Sequence, residues 1–365
     1  MQTMPPTLHS MWIARFCRGR WLVGLFVMAA SLFSCVTEFQ PDVVSLPPAL
    51  VVEGQITDQP GPYTVRLTRT ADYRYTAINL LETGATVTIE DNQGNRETLR
   101  EQAPGGVYLT RVGGIQGVAG RSYRLVIQTK TGTHYESELE LLKAAPPILK
   151  LYTEYRSDLI PGTVTRRQGW DVYLDTEDPE TTGDFYRWEW THYEPTAVCQ
   201  RISTPSGVVG IPCCSSCWDI VRCYSCITIN SDASINGKAI SRQLIMRVPY
   251  TSTNGYYVEI EQQAISRGAY EFWKSARQFV NNTGGLFDSA PQSLGGNMKC
   301  VSDPATAVYG YFGATGITRM PLVVDRSQGQ GIPDIDLIIT QYGPSCIACE
   351  NSIYRTPVKP RWWIN

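Results

Sequence analysis

Apolar and polar residues alternate with period two through most of this chain, and that pattern commits it to strands with one dry face. In YTVRLTRT, Tyr63, Val65 and Leu67 alternate with Thr64, Arg66 and Thr68, and in ATVTIED, Val87 and Ile89 alternate with Thr86 and Thr88. SYRLVIQT sets Tyr123, Leu125 and Ile127 against Arg124, Val126 and Gln128. Successive side chains of a strand point to opposite faces. Such runs, separated by turns like Asp91-Asn92-Gln93-Gly94, therefore read as antiparallel strands of a β-sandwich. KAAPPI, 143 to 148, carries a double proline that stops any strand and stiffens a junction. The pattern predicts a mainly β chain with two β-sandwich-like domains of the immunoglobulin or fibronectin kind, residues 49–145 and 146–365, the second with an inserted packed helix.

The second half repeats the alternation with larger side chains. WDVYLDT and DFYRWEWTHY place Tyr186, Trp188 and Trp190 on one face and Phe185, Arg187 and Glu189 on the other. The aromatic face is either sandwich core or a contact surface for a ligand or partner. Between these strands, Asp175, Glu177, Asp178, Glu180 and Asp184 cluster without the glycine and closing glutamate of an EF-hand loop, so they read as a solvated acidic turn. The helix is expected over about 266–282. Ser266 is its N-cap, Ala269, Phe272, Ala276 and Phe279 form a stripe widened by Tyr270, Trp273 and Val280, and Gly284-Gly285 ends it. So wide an apolar face predicts burial against a sheet, with GYYVEIEQ before it and VYGYFGA and DIDLIIT after it as further strands.

Cysteine is the unusual constellation. Cys213, Cys214, Cys217, Cys223 and Cys226 crowd into one excursion that begins at Cys199, Cys346 and Cys349 form CIAC, and Cys300 stands apart. Two C-x-x-C pairs could cage zinc through four thiolates and a lone C-x-x-C could be redox active, but the gap between the pairs is far shorter than the usual ~15 to 20 residues and nothing resembles the βαβ surroundings of a thioredoxin. In an exported chain disulfides are the default, and they would staple the irregular excursion 199–226. Spacing does not give the connectivity.

Export itself is read at the amino end. Arg15, Arg18 and Arg20 precede an apolar stretch from Trp21 to Phe33, too short to span a bilayer of ~20 helical residues, and Met11 can serve as the start. The stretch ends Leu32-Phe33-Ser34-Cys35, a small residue before a cysteine. That predicts a lipoprotein signal over 1–34, diacylglycerol on the Cys35 thiol, and an acidic, proline-bearing tether over 35–48. A lipid would hold the protein to a membrane without spanning it.

With a net charge of -2, the chain offers no concentrated basic surface, which excludes nucleic acid as a partner. Only His134 and His192 follow Cys35, and no G-x-S-x-G, H-E-x-x-H, Walker A or G-x-G-x-x-G string occurs, so no catalytic residue, cofactor or resident metal is expected.

Several blocks together carry a resemblance: DVYLDTEDPETTGDFYRWEW, AYEFWKSARQFVNNTGGLFDSAPQSLGGN, YGYFGA, and the ending CIACENSIYRTPVKPRWW. With CVTEFQPD and LVVEGQITDQPGPYTVRLTRT at the front, the chain resembles the domain-of-unknown-function family 4249 (DUF4249), lipoproteins of Bacteroidota, over essentially the whole mature length. The resemblance implies an outer-membrane lipoprotein, encoded beside a TonB-dependent transporter with a carboxypeptidase-regulatory-like extension. Glu38 and Asp42 are similar to signals that send such proteins to the cell surface. The expectation is a binding or accessory module, lipid-anchored at the periplasmic or cell-surface face of the outer membrane, partnered with such a transporter or a surface assembly. A surface hydrolase acting on glycan or peptide, with convergent carboxylates or His192, and a zinc-stabilised structural module are the alternatives.

Overall fold

The computed structural model describes residues 48–71, 80–159, 166–195, 199–205, 207–212, 217–281, 294–333, 349, 351–360 and 363. The first strands are β1 (Leu50–Thr57), β2 (Thr64–Arg69), β3 (Leu80–Leu81), β4 (Thr86–Asp91), β5 (Arg96–Thr98), β6 (Arg100–Gln102), β7 (Val107–Leu109), β8 (Ser122–Gln128), β9 (His134–Ser137) and β10 (Glu140–Leu141). After them come β11 (Ile148–Leu159), β12 (Arg166–Glu177), β13 (Phe185–Pro195), β14 (Cys199–Thr204), β15 (Gly207–Pro212), β16 (Trp218–Arg222), β17 (Thr228–Ser231), β18 (Ala239–Pro249) and β19 (Tyr256–Ile265). The helix α1 (Arg267–Asn281) follows, then β20 (Met298–Cys300), β21 (Val308–Val324) and β22 (Arg355–Thr356). The expected strand DIDLIIT, the signal and the tether lie outside the described residues.

The alternation produces two sandwiches. In the first, β1, β2, β7 and the start of β21 face a sheet ordered β20-β9-β8-β4-β5, and Leu50, Val52, Leu67, Ile89, Leu125 and Phe312 fill the space between them. In the second, β11-β12-β18 face β13, β19 and the end of β21, around Trp170, Val172, Trp188, Val248, Val258 and Ile260. The chain is mainly β and sandwich-like, as the periodicity predicts.

One strand serves both cores. β21 pairs in parallel with β1 from Val308 to Thr315, then antiparallel with β19 from Gly316 to Val324. The result is one sheet in the order β22-β16-β13-β19-β21-β1-β2-β7-β6 that runs through both sandwiches. Where it passes from one to the other, Gly316 lies against the chain crossing between them. A Cβ there would sit 2.1 Å from the Lys143 carbonyl oxygen, so only glycine fits. The double proline does carry the chain between the sandwiches, and its geometry is fixed, because the Pro146 carbonyl accepts from Gln262 Nε2 at 2.8 Å and from Thr318 Oγ1 at 2.8 Å. The expected assignment of all of 146–365 to a second domain is amended by this topology. β20 pairs with β9 and β21 with β1, so a late segment completes the first sandwich.

The expected aromatic contact surface is corrected. Tyr186 and Trp188 are each 1% exposed in the second core and Trp190 packs half-buried against it. Trp188 Nε1 donates to Gln262 Oε1 at 2.9 Å, which satisfies the indole without water. The acidic turn is also less solvated than its composition suggests. Asp178 is buried and accepts from Tyr186 Oη at 2.5 Å, and Asp184 accepts from Lys143 Nζ at 2.7 Å, so the carboxylates tie the β12–β13 turn to the core.

Helix α1 begins at its expected cap, with Ser266 Oγ accepting from the Ala269 amide at 3.1 Å. Its apolar face is only partly covered. Ala269 is buried against Phe185, Ile265 and Tyr311, whereas Phe272 and Trp273 are half-buried and Val280 is 49% exposed. The reason is its seat: α1 lies on the outer face of the through-running sheet, opposite both cores, and overhangs it.

Candidate functional site

That outer face is concave under the helix. Two adjoining hollows, about 540 Å³ and about 740 Å³, share Gln55, Thr64, Arg187, Glu189 and Trp273 in their linings and form one trough along the sheet. Strand parity selects its floor. In β13 the residues that alternate with Tyr186 and Trp188 are Arg187 and Glu189; in β19 the residues that alternate with Val258 and Ile260 are Glu259 and Glu261. β1 and β2 supply Glu53, Gln55, Thr64 and Arg66, and α1 supplies the wall with Phe272, Trp273 and Ala276.

The charges on the floor are cross-linked. Glu189 stands directly opposite Glu261 in the β13–β19 register, an arrangement that is repulsive when left bare. Gln263 bridges the two, its Nε2 lying 3.1 Å from Glu189 Oε2 and 2.6 Å from Glu261 Oε1. Arg319 Nε closes on Glu261 Oε2 at 2.7 Å from one side, and Arg187 pairs with Glu189 from the other. Two carboxylates and two guanidiniums thus form a neutral relay across β13, β19 and β21.

Arg187 is the buried end of that relay. Its guanidinium lies 3.7 Å from the centre of the Trp273 ring and reaches Gln263 Oε1 at 3.3 Å, while its Nε is buried with no partner among the described residues. Burial holds this guanidinium below the usual arginine range, with Glu189 and Glu261 pulling the other way. The cation–π contact and the ion pair together pin Trp273, and through it the helix, above the floor.

The two disulfides among the described residues join Cys217 to Cys349 and Cys223 to Cys226. Cys300 is a buried free thiol in the first core, and Cys199 opens β14. Cys213, Cys214, Cys346 and the lipid-attachment candidate Cys35 lie outside the described residues. With Cys217, Cys223 and Cys226 committed to disulfides, the expected alternative of a four-thiolate zinc cage is not formed, and no group of three metal-ligating side chains occurs among the described residues.

His192 sits on β13 between Thr191 and Tyr193, which line the trough, but on the opposite face of the strand. It is buried and stacks on Tyr256 at 3.6 Å, with Nδ1 2.8 Å from the Tyr257 carbonyl and Nε2 2.8 Å from Glu194 Oε2. Sequence reasoning picks out Arg187, Glu189 and Trp273 as residues on faces. It misses Gln263, Arg319 and the contribution of β1 and β2, because nothing local says which strands are neighbours.

A family model described as "Domain of unknown function (DUF4249)" matches residues 36–320. No curated protein matches the chain. Among solved structures, the two fibronectin type-III domain segment from chicken tenascin is similar at 13% identity over 60% of this chain and 91% of its own, with a TM-score of 0.16.

Proposed function

Because the chain belongs to the DUF4249 family, whose description carries no activity, we propose on the strength of the trough that the protein works by binding, as a lipid-anchored accessory module of the outer membrane. The partner is a TonB-dependent transporter or another surface assembly, and an extended segment of it lies along the through-running sheet beneath α1. Cys35 carries the anchor, and the tether to residue 48 gives reach. The observation that supports this reading most is the chemistry of the floor. Its central carboxylates, Glu189 and Glu261, already accept from Arg187, Gln263 and Arg319, which suits a rigid recognition surface. Binding is preferred to hydrolysis because a general acid or base needs a proton-exchanging group free to face substrate, whereas His192 is buried on the opposite face of β13 and the central carboxylates Glu189 and Glu261 are held by Arg187, Gln263 and Arg319.

Thr64 is exposed and lines both hollows. Thr64→Trp is expected to fill the trough without disturbing either core. Co-purification of the acylated protein from outer membranes in mild detergent tests the proposal. Wild type recovers a transporter or surface partner in stoichiometric yield and Thr64→Trp recovers several-fold less. Equal recovery by both, or none by wild type, would count against it.

A further inference from the structure

The two disulfides are unlike each other. Cys217–Cys349 closes 132 residues of chain from a buried sulfur, and it joins β16 to the segment that carries β22. Cys223–Cys226 closes a separation of 3, and its loop C-Y-S-C stands on the rim of the trough with Tyr224 74% exposed. A cross-link stabilises mainly by restricting the unfolded chain, and the effect grows with the loop it closes. So short a loop leaves the second bridge little to contribute to folding, and its position leaves it open to attack.

The surroundings also distinguish its two sulfurs. Cys226 is exposed, whereas Cys223 is half-buried with the Ser225 hydroxyl 3.7 Å from its Sγ. A hydroxyl placed there donates to a thiolate on Cys223 when the bridge opens, which makes Cys223 the better leaving group.

We infer that Cys223–Cys226 is a thiol–disulfide exchange site that oxidises paired thiols of a protein segment presented at the mouth of the trough. A thiolate of that segment attacks Cys226 Sγ, forming a mixed disulfide while the Sγ–Sγ bond breaks and its electron pair leaves on Cys223. The segment's second thiolate then attacks its own sulfur in the mixed disulfide and releases Cys226. Two electrons pass to the bridge and two protons end on Cys223 and Cys226; the segment leaves with one new disulfide. The exchange needs no ligand bound deeper in the trough, so its test bears on the bridge alone.

Purified oxidised full-length protein is titrated with dithiothreitol, and free thiols are alkylated and mapped by mass spectrometry. Cys223 and Cys226 are expected to label together at roughly tenfold less reductant than Cys217 and Cys349, with near-ultraviolet circular dichroism unchanged. A peptide with two cysteines, mixed with the oxidised protein, is expected to gain one disulfide per protein molecule, and the double variant Cys223→Ser/Cys226→Ser to give none. Opening of both bridges at the same reductant concentration would overturn the inference. So would peptide oxidation that is absent in wild type or undiminished in the double variant.

Discussion

Glu140 carries chemistry that its place in the sequence does not suggest. It is buried where the first sandwich meets the start of α1. Its Oε1 accepts from Tyr311 Oη at 2.5 Å and from Asn297 Nδ2 at 3.2 Å, while Oε2 has no partner among the described residues. Burial raises its pKa above the ordinary 4.5, only partly offset by hydrogen bonds from Ser266, Tyr311 and Asn297. The folded protein therefore binds more protons than the unfolded chain once pH passes that ordinary value. Stability falls from there until the folded carboxyl has ionised. Glu140→Gln abolishes the titration. In urea unfolding at about pH 4 to 7, the two proteins are expected to run parallel below the ordinary glutamate range, and wild type to lose ground to the variant above it. Parallel curves throughout would contradict the assignment. No pattern in the sequence marks Glu140, because it lies in a two-residue strand and its partners Asn297 and Tyr311 stand 157 and 171 residues away. Strand faces, by contrast, are legible residue by residue: Val87, Ile89, Leu125 and Ile127 are buried where their alternation puts them.

At the scale of elements, α1 shows what local sequence can and cannot say. Its start is written locally, since a serine just before a helical apolar stripe caps the first turn, and Ser266 does so. Ser266 also contacts Tyr311 Oη at 3.2 Å, which fixes the helix to β21. Ser266→Ala is expected to cost about 1 kcal/mol in global stability, read by denaturant unfolding. Ser266→Asp should recover most of it. The helix's burial is not written locally. An apolar stripe states that a face avoids water; it does not state how much of that face a sheet will meet, and here the sheet falls away into the trough beneath Phe272 and Trp273. The aromatic strand taught the same lesson in reverse. Period two placed Tyr186, Trp188 and Trp190 together, and their burial depended on whether a second sheet, β11-β12-β18, lay across them.

At the scale of the whole molecule, the sandwiches are joined by more than a linker. β21 contributes to both sandwiches, and the crossing segment is hydrogen-bonded to β19 and β21 through Pro146. Calorimetry is therefore expected to show one cooperative transition, with van't Hoff and calorimetric enthalpies equal, where two independent sandwiches would give two. The fold class was legible in the sequence. The return of 298–315 to the first sandwich was not, because a parallel pairing such as Val52 with Gly310 joins segments whose only signal is their separate alternation. The trough was illegible for the same reason, since its floor draws on β1, β2, β13, β19 and β21.

The binding role of that trough is tested most directly by photo-crosslinking in outer membranes from two positions of the acylated protein. One is Thr64, on the trough floor, and the other is Thr98, exposed on β5 of the opposite sheet. A discrete adduct with one partner from position 64, and none from position 98, is the expected result. Adducts of equal yield from both positions, or no adduct from position 64, would contradict it.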